Sequence, residues 1–234
     1  MSDVTTNETP PQGEVVQRGS FALTVRRLRG DKASMAALCI IFAVVVLAVA
    51  APWVAAVTGH SPIEQFRETG LSPAGIPVGP GAEFWLGTDQ LGRDVLVRLA
   101  YGARVSLLVG VFASMLASLI AVVVGTTAGY FGGTVDLVLS RLTDLVMSVP
   151  FLLCALALVS AFGPSLTLSV AVIVFFSWAP MARVIRGQVI SLRRQDFVLA
   201  SRSLGAGPLS IMVVDILPNL AVPIIVYTTM QIPN

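Results

Sequence analysis

Long apolar stretches alternate with polar ones along this chain, on a scale of roughly 20 residues rather than the shorter repeats of amphipathic helices or strands. No side chain from Ala33 to Val57 is charged. About 20 helical residues at 1.5 Å each cross the roughly 30 Å hydrocarbon core of a bilayer, so this run predicts a first transmembrane helix over residues 33–57. A second charge-free run, Val105 to Val135, predicts a span near Val105–Ala128, closed by the tight turn Ala128-Gly-Tyr-Phe-Gly-Gly133. A third span is expected from Leu137 to Ala161. Arg141 and Asp144 lie in its first turns at i, i+3, where they can pair. Phe162-Gly-Pro164 breaks the apolar stretch before a fourth span, Ser165–Ala182. A fifth run starts near Leu209 and reaches Asn234, interrupted by Pro218 and Pro223. The predicted fold class is all-α integral membrane, a polytopic helical bundle.

Three polar segments separate these runs. Residues 1–32 begin Pro- and Gly-containing, which predicts disorder, and become basic (Arg18, Arg26, Arg27, Arg29, Lys32), with a short surface helix expected over Phe21–Gly30. Ala48-Val49-Ala50 has the form of a signal-peptidase site, but the apolar run is longer than a leader's and more spans follow, which predicts an uncleaved anchor. Residues 58–104 form an external loop, and residues 183–208 a basic loop within a core region of 105–234. With the N-terminus cytoplasmic, eleven basic residues face inward against four outward (Arg67, Arg93, Arg98, Arg104), as the positive-inside rule requires.

Composition agrees. Charged residues are 12% of the chain and hydrophobic residues 55%, with a mean hydropathy of +0.84. A soluble domain this small could not bury so much apolar surface. The net charge of +2 gives no basic excess for nucleic acid. Lys32, the one lysine, precedes Ala33 and lacks a glycine frame, which removes the phosphate-cradling G-x-x-x-x-G-K-[ST] loop. One histidine (His60) and two cysteines (Cys39, Cys154) cannot assemble a His/Cys metal cluster. Both cysteines fall in apolar runs, where a buried thiol acts as a small hydrophobe.

Two polar segments carry more information. In Phe84-Trp-Leu-Gly-Thr-Asp-Gln-Leu-Gly-Arg-Asp94, Asp89 is placed to cap a helix beginning around Gln90. Asp94 and Arg98, at i, i+4, are expected on a short interfacial helix before the second span, with Trp85 and Tyr101 at the headgroup level. In the second segment, 191–208, Phe197, Ala200, Ser201 and Leu204 share one helical face, and Gly205, Gly207 and Pro208 end the helix. A ring beside small residues suits docking into a groove of a soluble partner; the alternative is a basic connector that merely obeys the orientation rule.

The second segment resembles the cytoplasmic "EAA" loop of ATP-binding-cassette importer permeases. Ala200 and Ser201 match its two alanines, Gly205 its glycine, and Leu217-Pro218 its closing pair. Leu199 stands at the glutamate position and Asp215 at the isoleucine position. The run Asp196-Phe-Val198 with Asp215-Ile-Leu-Pro-Asn219 is similar to the dipeptide/oligopeptide branch. Gly87-Thr-Asp89, Gly92-Arg-Asp94 and Tyr101-Gly-Ala-Arg104 resemble the signature of that branch's C-type subunit, as does Gly129-Tyr-Phe-Gly-Gly133. The resemblance covers about residues 20–234 and implies the type I importer permease fold, with five of its usual six transmembrane helices present in this C-terminally truncated chain.

Such a permease is not an enzyme. The resemblance implies a heterodimer with a second permease in the bacterial plasma (inner) membrane. It also implies two cytoplasmic ATPase subunits that bind the ATP and Mg, and an extracytoplasmic peptide-binding protein. The permease itself binds no cofactor. Asp196, Phe197, Ala200, Ser201 and Gly205 would couple to an ATPase. Nickel or glutathione are alternative cargoes of the family, and an inactive truncated permease is an alternative state. An ion-coupled secondary transporter is the rival from another class. Such proteins place charges or broken helices at the bilayer midplane, whereas Arg141, Asp144 and Asp215 all fall near span ends.

Overall fold

The computed structural model describes residues 30–232; the expected surface helix and disordered start lie outside that range, apart from its last residues. Among the described residues seven helices follow one another: α1 (Lys32–Thr58), α2 (Val95–Phe131), α3 (Gly133–Ser148), α4 (Phe151–Phe162), α5 (Leu166–Leu192), α6 (Asp196–Ser203) and α7 (Pro208–Gln231). Four of them (α1, α2, α5 and α7) are long and apolar enough to cross a membrane, and the bent α3–α4 pair raises the number to five. Asp31 starts α1 by accepting from the backbone N–H groups of Ala33 and Ser34, and Gly59, at φ +71°, ends it.

The bundle is organised by α2 and α5. A stripe of small residues at i, i+4 spacing, Ala113, Ala117, Ala121, Gly125 and Gly129, runs down α2. It faces Trp178, Met181, Ile185 and Val189 of α5, which form the core with Ile211, Ile216 and Leu220 of α7. Glycine is needed at two of these positions. A Cβ on Gly125 would sit 2.6 Å from the Ala182 carbonyl oxygen, and one on Gly129 would sit 2.8 Å from that of Arg186. Small residues let transmembrane helices approach this closely, so that dispersion replaces a hydrophobic drive that lipid cannot supply. Ser118 meets Met181, Gly125 meets Ala182, and Gly129 meets Arg186 and Val189, so the two helices run parallel. Parallel neighbours require a return crossing, and α3 with α4 supplies it.

That return crossing is not the single span expected over Leu137–Ala161. Its halves meet at 73° across Val149–Pro150. Pro150 disfavours the helical conformation at the residue before it, and Val149 is extended at ψ 124°. The second span also begins ten residues early: 95–104 belong to α2, so no separate interfacial helix precedes it. The fourth continues to Leu192, which turns the first part of the expected polar loop into helix. Nor do Pro218 and Pro223 interrupt the last span. Residues 211–216 widen into a π-helical turn in which Leu217 N–H reaches the Met212 carbonyl, a wider turn directly before the missing N–H and bulky ring of Pro218. Cys39, expected to be buried, is exposed on α1, where Ala48 and Ala51 alone are buried.

Gly125→Ala should destabilise the protein by about 1–3 kcal/mol, because the new methyl meets backbone rather than a movable side chain. Gly187→Ala, on an exposed turn of α5 with nothing within 4 Å, should instead be neutral or stabilising by up to about 1 kcal/mol. Thermal unfolding of both variants in detergent checks this difference in sign.

Candidate functional site

Charged groups gather at the two ends of the bundle. At one end, the 59–94 loop folds back over the start of α2. Asp94 is fully buried there; its Oδ1 accepts from Leu96 and Val97 N–H, capping the helix, while its Oδ2 lies 2.7 Å from His60 Nδ1. His60 in turn packs against Phe66 and Phe84, with ring centroids at 4.5 and 5.0 Å. Thr88 pins three strands of chain together: its hydroxyl donates to the Gly70 carbonyl at 2.5 Å and accepts from Val78 N–H at 3.0 Å. Gly87 and Gly92 have φ of +75° and +72°, and a Cβ on either would meet a carbonyl oxygen within 2.8 Å.

Asp89 organises the turn. It accepts from the N–H groups of Leu91 and Arg93 and pairs with the guanidinium groups of Arg93 at 2.8 Å and Arg98 at 3.3 Å. Partial burial pushes its carboxyl up, but the Arg93 side-chain hydrogen bond, the Arg93 and Leu91 N–H groups and the Arg93 charge outweigh that. Together they hold it at about 2. One expectation changes as a result: Asp94, not Asp89, caps the helix. Arg98 meets Asp89 only once the loop has closed. Arg104 is exposed one turn and a half further along α2, away from this network.

At the opposite end, α6 is clamped to the corner where α2 becomes α3. Val198 is fully buried there. Arg193 Nη1 donates to the Gly129 and Tyr130 carbonyls at 3.0 and 3.1 Å, satisfying the last turn of α2, and the Arg202 guanidinium lies 5.7 Å from the Tyr130 ring centre. The helix ends in a Schellman motif. Ala206 N–H bonds the Ser201 carbonyl, Gly205 N–H bonds that of Arg202, and Gly205 takes φ +86°. Phe197, Ala200 and Leu204 are left exposed on one side, with Ser201 half-buried beside them and Asp196 exposed in the first turn. Leu217 is half-buried and Pro218 exposed behind the π-helical turn. Nearby, Arg186 forms a two-pronged pair with Asp136 of α3. Asp144 pairs with Arg183 at 2.7 Å and with Arg141 at 3.8 Å.

Residues 121–234 match the family described as the binding-protein-dependent transport system inner membrane component, and residues 20–73 match the N-terminal transmembrane domain of oligopeptide transport permease C. The dipeptide transport system permease protein DppC of Bacillus subtilis (strain 168) is 37% identical, aligned over 98% of this chain and 70% of its own length. The oligopeptide permease OppC of the same organism is 35% identical over 94% of this chain and 70% of its own. OppC of Escherichia coli (strain K12) is 33% identical over 94% and 71%. The chain belongs to the binding-protein-dependent permease family. It is therefore a multi-pass inner-membrane transport subunit rather than an enzyme, of the type I ABC permease fold, and works in an importer with partner components.

Within this permease, sequence reading missed Val198, Arg193 and His60. Val198 lies off the one face that helical spacing singled out, so its burial left no signal there. Arg193 and Gly129 are 64 residues apart, and His60 and Asp94 are 34 apart, so neither pair leaves a local signal. The signature residues Thr88, Asp89 and Asp94 hold the turns of the 59–94 loop together. Asp89→Asn should lower stability by about 1–2 kcal/mol at neutral pH. Because Asp89 titrates below its ordinary 3.8, its contribution is complete above about pH 4 and fades as pH falls toward 2. The melting-temperature gap between the two proteins, followed from pH 5 to pH 2, should close over that window.

Proposed function

We propose that this chain is the C-type permease subunit of a peptide importer, pairing with a second, related permease to enclose the translocation path. Two cytoplasmic ATPases supply the ATP and Mg chemistry, and an extracytoplasmic peptide-binding protein delivers cargo to the end carrying the 59–94 loop. The N-terminus is cytoplasmic, as the eleven-to-four distribution of basic residues favours. The relatives' names support di- or oligopeptide cargo.

The observation that carries this reading is the division of labour on α6. Val198 is buried on the inner side of the helix, which packs on the π-helical turn opening α7, and Arg193 and Arg202 reach the end of α2, while Phe197, 41% exposed, and Leu204, 89% exposed, face away from the bundle. An apolar face held outward on a fixed helix suits a groove in a soluble partner. When the ATPases close on ATP, α6 moves with them. Its attachment to the ends of α2 and α5 carries that movement into the bundle, and the permease pair exchanges inward- and outward-open states. Asp196 and Arg202 set the polar rim of the contact. Gly205 turns the chain toward α7 without strain.

Phe197→Arg should leave membrane insertion and thermal stability intact and abolish ATPase co-purification, a loss of roughly 30-fold or more in affinity for an aromatic anchor. Val198→Asp should instead lower stability, because it places a charge in the core. ATPase retained by Phe197→Arg in mild detergent would refute the assignment of α6.

A further inference from the structure

Most arginines near the bundle ends have a carboxylate partner. Arg93 and Arg98 share Asp89, Arg141 and Arg183 share Asp144, and Arg186 holds Asp136. Among the described residues Arg193, Arg194 and Arg202 have none, and all three line one open cavity of about 760 Å³ between α6 and the corner where α2 becomes α3. No acidic side chain lines that cavity.

The partners these arginines do have leave their charge uncompensated. Arg193 Nη1 donates to the Gly129 and Tyr130 carbonyls, and the Arg202 guanidinium lies 5.7 Å from the centre of the buried Tyr130 ring. A carbonyl and a phenol ring are neutral, and a guanidinium has five N–H donors and keeps its charge at any physiological pH. Three like charges around one cavity repel one another, so an anion entering it relieves the repulsion. The rest of the lining says where that anion comes from. Tyr130 and Phe131 are the last two residues of α2, and Pro208 is the first of α7. The cavity therefore sits where two apolar spans reach the membrane surface, the level that Tyr favours. Phe131 and Leu199 add apolar walls, both exposed, and Leu209 is exposed beside Pro208.

We propose that this cavity holds the headgroup of an anionic phospholipid, its phosphate taken by the guanidinium groups of Arg193, Arg194 and Arg202 and its glycerol end lying against Phe131. Arginine matches phosphate with paired N–H donors, and basic pockets between transmembrane helices bind such headgroups. A zwitterionic lipid fits less well, because its cationic group meets three guanidinium groups. A free phosphate would leave the apolar walls uncovered in a volume that suits a larger ligand, within the range of about 300–1,000 Å³ for small-molecule sites. Bound there, the headgroup bridges α6 and the end of α2. The site concerns the lipid around the protein and does not depend on the cargo.

The test uses the chain in its native assembly, placed in phosphatidylcholine nanodiscs that contain a little phosphatidylglycerol bearing a photoreactive diazirine close to its glycerol. After irradiation, peptide mapping should find label concentrated on Phe131 and on residues 199–209. Excess unlabelled phosphatidylglycerol should remove it, and inorganic phosphate should not. Arg194→Gln should cut the labelling about fivefold, the weight of one basic side chain near an anionic headgroup, and Arg194→Lys should retain most of it. Arg194 is exposed and takes no part in the contact proposed for the outer face of α6, so the two readings fail separately. Label spread evenly over the spans, or unchanged in Arg194→Gln, would overturn the site. Displacement by inorganic phosphate would overturn the lipid and leave a soluble-phosphate cavity. Label that appears only after co-purifying subunits are stripped away would also overturn it, assigning the three arginines to an acidic surface of a protein partner.

Discussion

At Gly125 and Gly129, α2 lies so close to α5 that a single added methyl would meet a backbone carbonyl oxygen at 2.6 or 2.8 Å. Two parallel helices in such contact cannot slide or rotate independently, because each i, i+4 small residue registers against one turn of its neighbour. The rest of the bundle takes its place from that pair. α7 packs Ile211, Ile216 and Leu220 into the core they form, and the bent α3–α4 crossing is the connection that parallel neighbours demand. α1 stays peripheral, with two alanines buried.

Charge is confined to the ends of this apolar assembly, and each end uses it differently. In the 59–94 loop, Asp94 and Asp89 accept backbone N–H groups as well as meeting side-chain partners, so the carboxylates hold a turn-rich segment that has no regular hydrogen-bonding ladder of its own. At the opposite end the ion pairs run between helices. Asp136 with Arg186 and Asp144 with Arg183 tie α3 to α5. The first arrangement fixes a surface, and the second makes α3, α5 and the end of α2 one mechanical unit beside α6. α4, beyond the Pro150 break, buries no residue of its own.

Mechanical continuity runs from α6 into the bundle. Arg193 links α6 to the last carbonyls of α2, and the small-residue stripe links α2 to α5 along most of the span. Ser114 lies on α2 beside that stripe, and Ser177 on α5 one residue before the buried Trp178. The turn before α6 is thus joined to α2 and α5 by direct contacts rather than through a flexible loop.

By itself, the sequence determined which segments enter the membrane, since charge-free runs of span length have no soluble alternative. It also determined the short helix after α5, whose terminator Gly205 and shared face of Phe197, Ala200 and Leu204 are local features. Only the tertiary structure decided who meets whom. Asp94 with His60, Arg98 with Asp89, Arg193 with the end of α2, and Gln231 with the Ser177 carbonyl depend on distances across the fold. So does the stripe from Ala113 to Gly129: its spacing is visible in the chain, but alanine and glycine are common throughout transmembrane helices, and only a facing helix gives their small size a meaning.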